Sequence, residues 1–193
     1  MAEDLVVHEE ADPGLWLGAG LSADRRWIVV EAMCSEFSEQ LIAPVAEPAA
    51  PLRVVLPRTD RVLYEAEPLL LDGREQILLT HDHEAPNSRV SLMDPADLGR
   101  PVAEVALRDV VPASETVRVN GCAVTATHLV VSVRADTTLR VRLLPLAEEL
   151  GIAEGAVKVR LHRARRRLHD PHHHELRRPA RCCRLHASPA AVW

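Results

Sequence analysis

The chain has 193 residues, 47% hydrophobic and 26% charged, with a net charge of −5, values of an ordinary globular chain that exclude a collagen-like or low-complexity one. Aromatic residues make up only 3%, so the core must be built mainly from Val, Leu, Ile and Ala, without the large contact area of many buried rings. The opening Met1–Glu10 has no basic start followed by an apolar stretch, and no run of the sequence stays apolar over the length that crosses a bilayer. Neither secretion nor membrane insertion is encoded, and a cytoplasmic location with reduced thiols at Cys34, Cys122, Cys182 and Cys183 is the expectation.

Read in chain order, one phrase of strand, polar turn and strand recurs. Leu15–Gly18, Ser22–Arg26 and Trp27–Val30 give the first copy; Leu69–Leu71, Asp72–Arg74 and Ile77–Leu79 give the second. Val117–Val119, Asn120–Gly121 and Leu129–Ser132 give the third, with Asp72-Gly73 and Asn120-Gly121 as the signals for chain reversal. Between the copies lie further expected strands at Gln40–Ala43, Leu52–Leu56, Val90–Met93 and Leu139–Leu143, and the prolines gather in the connections, where a missing amide donor is harmless. Aligning Trp27, Ile77 and Leu129 gives separations of 50 and 52 residues, a period suited to four short antiparallel strands. That spacing fits a propeller blade, and it also fits a β-sandwich.

Candidate chemistry in this region is sparse. No Gly-x-Ser-x-Gly pentapeptide, the tight turn that exposes a hydrolase serine, occurs in the chain. Gly20-Leu21-Ser22-Ala23-Asp24 comes nearest, but hairpin chemistry accounts for Ser22 and Asp24. His8, His81, His83 and His128 are bases with no evident nucleophile to serve, and His81-Asp82-His83-Glu84 offers metal-ligating types from one loop without distant partners. Gly18-Ala19-Gly20 lacks the later glycine and the helix of a phosphate-binding loop. No catalytic residue, metal site or cofactor is expected.

From Leu146 the pattern turns helical: Ala147–Leu150, a break at Gly151-Ile152, then Glu154–Leu168, with Val157, Leu161, Ala164 and Leu168 on one apolar stripe. Charge changes at the same place. Residues 1–145 carry 23 acids against 13 arginines, whereas 146–193 carry 5 acids against 10 basic residues. Such asymmetry points to segments with different partners, the second suited to a polyanion. Lys158, Arg160, Arg163, Arg165, Arg166 and Arg167 are the candidate DNA-contacting side chains, and weak nucleic-acid binding through 158–168 is the expectation. Residues 169–193, with His172-His173-His174 and Cys182-Cys183, show no periodicity and read as a disordered tail.

Two resemblances sharpen these readings. Asp12–Gly18, Ser22–Trp27, Val55–Arg58, Tyr64-Glu65, Leu79–Asn87, Arg108–Val110 and His128–Ser132 are similar, in order, to the N-terminal propeller of the prolyl oligopeptidase family, oligopeptidase B branch. The resemblance covers about residues 4–145. It implies a noncatalytic propeller fragment that covers a separate α/β-hydrolase domain and limits entry to short peptides, in a family that cleaves after basic residues. Ala147–Ile152 with Gly155–Arg165 resembles region 4 of extracytoplasmic-function sigma factors, which implies a helix-turn-helix over 146–168 directed at a promoter. Ala153 stands where that family usually has a serine N-cap.

The expected architecture is therefore mainly β. A partial propeller of about three antiparallel blades spans 1–145, followed by a short α-helical segment over 146–168 and the tail over 169–193. Three functions follow: a noncatalytic propeller fragment, a DNA-binding transcription remnant, or a β-rich interaction module. Because about three blades fall short of the four to eight that close a propeller, open strand edges predict self-association or a partner, such as a hydrolase domain, that covers the edge.

Overall fold

The computed structural model describes residues 6–71, 73–125 and 127–146. The expected helix pair and tail thus lie outside the described residues, apart from Leu146. Eleven strands form three antiparallel sheets among the described residues. The first holds β1 (Trp16–Leu21), β2 (Trp27–Met33), β3 (Ser38–Pro44) and β4 (Arg53–Val54). The second holds β5 (Tyr64–Leu71), β6 (Arg74–His81), β7 (Arg89–Met93) and β8 (Arg108–Val111); the third holds β9 (Val117–Val124), β10 (His128–Ala135) and β11 (Thr138–Pro145). In each sheet the strands neighbour one another in chain order. Four-stranded meanders repeated at this period make propeller blades.

The sheets stack because alternate residues of the middle one face opposite neighbours. Tyr64, Ala66, Ile77, Leu79 and Met93 join Ile42, Val55 and Leu56, with Trp27 and Val29 packed against them, to fill the space between the first and second sheets. Leu69, Leu71, Leu78, Val90 and Leu92 meet Val119, Val124, Leu129, Val131 and Val133 to fill the space between the second and third. The core is mainly aliphatic, as the composition requires, and Tyr64 is the buried ring in the cluster at its first interface, with Trp27 packed against it.

Two sequence expectations need correction. Asn120-Gly121 does not reverse the chain. Gly121 pairs with Ser132 and Val119 with Val133, so Asn120 is the extra residue of a β-bulge inside β9. The reversal comes between β9 and β10, where the Thr125 hydroxyl accepts from the His128 amide at 2.9 Å and donates to its carbonyl at 2.9 Å. Prolines also enter strands: Pro68 pairs with Ile77 within β5, where a first strand at the sheet edge leaves its missing N–H without consequence. Elsewhere the expectation holds. Gly73, at φ +73°, makes the tight turn between β5 and β6, and Pro86 lies in the connection from β6 to β7.

Candidate functional site

The first strands of the three sheets converge. Gly18–Leu21 of β1, Tyr64–Glu67 of β5 and Arg118–Gly121 of β9 line one cleft of about 440 Å³. Among the described residues its charged lining consists of Glu31, Glu65, Glu67 and Arg118. Glu67 accepts from the Ala23 amide at 2.7 Å and Glu31 from Gln40 Nε2 at 3.0 Å, so two of the carboxylates are oriented by the first sheet.

β5 is the inner edge of its sheet, and side chains of β3 occupy its free edge. The Tyr64 amide donates to Ser38 Oγ at 2.9 Å, Ser38 Oγ donates to the Tyr64 carbonyl at 2.5 Å, and the Ala66 amide donates to Gln40 Oε1 at 2.6 Å. Two residues further on, Pro68 has no amide to satisfy. The Tyr64 hydroxyl completes the lock: it accepts from the Gln40 amide at 2.7 Å and the Leu56 amide at 3.1 Å, and donates to the Leu56 carbonyl at 3.0 Å. Burial drives the phenol pKa upward, so it stays a neutral donor at all ordinary pH.

A second polar group, buried at His81 and Ser91 and exposed at Asp109, has the composition of a hydrolase triad and a different order. Ser91 Oγ donates to Asp109 Oδ1 at 2.7 Å, so Ser91 accepts from His81 Nε2–H at 3.0 Å. A catalytic imidazole stands between the acid and the serine, taking the serine's proton. Here the serine stands in the middle, its proton already committed to the acid, and neither Ser91 nor His81 is more than 1% exposed. The group is structural. Burial, followed by the charges of Arg89 and His83, pushes the His81 pKa down to about 4. A histidine kept neutral in the fold contributes stability that is complete above about 6.5 and lost as pH falls through 4. We therefore expect the urea midpoint to fall steadily between pH 6.5 and 4, and His81→Gln, which keeps a donor toward Ser91, to flatten that slope.

Ser22 Oγ donates to Asp24 Oδ1 at 2.7 Å and accepts from the Trp27 amide at 3.0 Å, which closes the β1–β2 turn and makes Ser22 a turn residue rather than a nucleophile. His83 lies 6.5 Å from His81 between ring centroids, and no cluster of three metal-ligating side chains forms among the described residues. His128 Nδ1 contacts the Thr127 hydroxyl at 2.8 Å. Cys122 is held as an unreactive thiol, because burial pushes its pKa up to about 12. Lys158, Arg160, Arg163, Arg165, Arg166 and Arg167 lie outside the described residues. The convergent cleft was missed in the sequence, since its acids belong to β2 and β5 and only stacking of the sheets brings them together.

The sequence matches the family described as prolyl oligopeptidase, N-terminal beta-propeller domain, over residues 1–172. The chain belongs to this propeller family. The match runs through residues 146–168 as well, the segment that resembles sigma region 4. No curated protein matches the chain significantly. Among solved structures, oligopeptidase B from Leishmania major is 20% identical, with a TM-score of 0.65 over 82% of this chain and 21% of that one. Oligopeptidase B from Trypanosoma brucei, in a closed form with covalently bound antipain, is 24% identical, with a TM-score of 0.61 over 72% of this chain and 19% of that one. A prolyl endopeptidase studied for the role of inter-domain dynamics in catalysis and specificity is 24% identical, with a TM-score of 0.61 over 75% of this chain and 20% of that one. At these identities the likeness is one of fold. The chain spans about a fifth of the length of each of these proteins.

Proposed function

We propose that the chain is a noncatalytic propeller segment of the oligopeptidase B kind, whose inner strands present a carboxylate-bearing cleft to short basic peptides on their way to a hydrolase domain supplied elsewhere. The observation that carries this reading is the cleft where β1, β5 and β9 converge, with Glu31, Glu65, Glu67 and Arg118 as its charged lining among the described residues. A cationic peptide is drawn to such a concave acidic lining by a field that its low-dielectric walls concentrate. The family's preference for cleavage after basic residues gives the charge a use. The buried Ser91, whose hydroxyl donates to Asp109, and the turn residue Ser22 offer no nucleophile for the peptide bond, so in this reading the chain selects and does not cut.

A short peptide with paired arginines, titrated into the full chain at low ionic strength, is expected to bind and to weaken as salt is added. Glu65→Gln is expected to weaken it roughly two- to fivefold, the scale of one partly exposed ion pair. A fluorogenic version of the peptide is expected to show no turnover. Hydrolysis by the purified chain, or equal binding of a peptide with paired glutamates, would overturn the reading.

A further inference from the structure

The connection from β6 to β7 braces both walls of the cleft. It makes two consecutive tight turns, in which the Ala85 amide donates to the Asp82 carbonyl at 2.9 Å and the Ser88 amide to the Ala85 carbonyl at 2.7 Å. Pro86 stands at the second position of the later turn, where its fixed φ suits the bend and holds Asn87 in a defined place. Glu84 and Ser88, at φ +49° and +60°, adopt the left-handed region without being glycine, a cost that the surrounding bonds must offset.

At its start the connection grips the chain entering β5. Asp82 Oδ1 accepts from the Leu63 amide at 2.9 Å, the Asp82 amide donates to the Leu63 carbonyl at 3.2 Å, and Leu63 lines the cleft. At its end it grips the third sheet. Asn87 Nδ2 donates to the carbonyls of Ser114 and Glu115, each at 2.9 Å, and the Asn87 carbonyl accepts from the Val119 amide at 2.8 Å. The receiving segment is itself ordered, since Ser114 Oγ accepts from the Thr116 amide at 3.3 Å and the Val117 amide at 3.1 Å. Val119 lines the cleft, with Arg118 and Asn120 on either side of it, and so does Ser88 beside Asn87. The aliphatic packing between the second and third sheets is non-directional, whereas these three hydrogen bonds fix a direction and a distance.

We propose that Asn87 is a positioning residue of the cleft, a clamp that fixes the β9 wall and its Arg118 against the β5 wall that bears Glu65 and Glu67. The clamp's use in selecting peptides rests on the peptide-binding role proposed for the cleft; the clamp itself does not. A peptide held between walls on different sheets binds best when those walls are placed in advance. Releasing one wall therefore weakens binding without removing any charged side chain.

Asn87→Ala and Asn87→Asp in the full chain test this. Both remove the Nδ2 donor, while Asp keeps the shape and adds a negative charge. Without peptide, both variants are expected to keep the β circular dichroism signal and to speed amide exchange at Val119 roughly tenfold, with the amide of Val30 in β2 unchanged. The paired-arginine peptide is expected to bind each variant roughly three- to tenfold more weakly than wild type. The added carboxylate of Asn87→Asp acting alone would instead tighten it. Unchanged exchange at Val119, an acceleration shared equally by Val30, or an Asn87→Asp protein that binds as tightly as wild type would each overturn the proposal. If the wild-type chain does not bind the peptide, the peptide-binding role falls, and exchange at Val119 still decides the clamp.

Discussion

Tyr64→Phe is expected to lower stability by about 2–4 kcal/mol, although it removes a single oxygen and keeps the ring. The cost comes from what is left behind. Without the hydroxyl, the buried amides of Gln40 and Leu56 lose their acceptor and the Leu56 carbonyl loses a donor. Each buried group without a partner costs about 1–3 kcal/mol, and slight rearrangement recovers part of the sum. Because Gln40 and Leu56 belong to the first blade and Tyr64 to the second, the loss falls on the contact between blades rather than within one. Urea denaturation is the measurement. A fall in midpoint with an unchanged slope is expected, and a change below about 0.5 kcal/mol, typical of a surface substitution, would mean that the hydroxyl does not join the blades.

Arg58→Met is expected to have the next largest effect and to move the acid transition. The guanidinium joins Glu10 Oε2 at 2.8 Å and Glu39 Oε2 at 2.6 Å, and those carboxylate side chains are only 8% and 11% exposed. Removing the cation leaves two neighbouring covered carboxylates without their common partner, which costs about 3–5 kcal/mol in a fully buried case. Arg58 is itself 32% exposed, so solvent screening brings the expectation to about 2–3 kcal/mol. The sign with pH follows from Glu10, whose pKa is held at about 2 first by its hydrogen bonds from Arg58 and then by the Asp12 amide. A lowered carboxyl pKa gives stability that is complete above about 4.5 and lost as pH falls through 2. In Arg58→Met that contribution is gone at neutral pH, so thermal unfolding followed from pH 7 to 3 should show a deficit largest at neutral pH and shrinking below pH 4.5. A deficit that grows toward acid would contradict the pairing.

Much of the architecture is legible in the sequence because blades are local. Each hairpin carries its own alternation, and the strands at Gln40–Ala43, Val90–Met93 and Leu139–Leu143 appear where apolar runs meet turn residues. Errors arise where local chemistry serves two structures. Asn120-Gly121 favours a turn and equally a bulge, and the pairing of β9 with β10 decides the outcome. The β10–β11 turn gives a weak signal, since Asp136 and Thr137 both adopt positive φ without a glycine. Pro68 sits in a strand because β5 is an edge, which only the sheet order reveals. The cleft and the side chains of Ser38 and Gln40 that close the β5 edge join positions about 25 residues apart, and no single period encodes them. His81, Ser91 and Asp109 illustrate the converse hazard: the residue types suggest a hydrolase, and the hydrogen-bond order removes it.

The acidic balance of residues 1–145 attracts cationic peptides to the whole surface, so affinity alone does not locate the encounter. Amide chemical shifts recorded while a paired-arginine peptide is titrated into the full chain locate it. Saturable changes are expected at Gly18, Gly20, Glu65, Arg118 and Gly121, on the inner strands that line the cleft. Shifts spread over the outer acids Glu75, Asp97 and Glu104, with the inner strands unmoved, would contradict it.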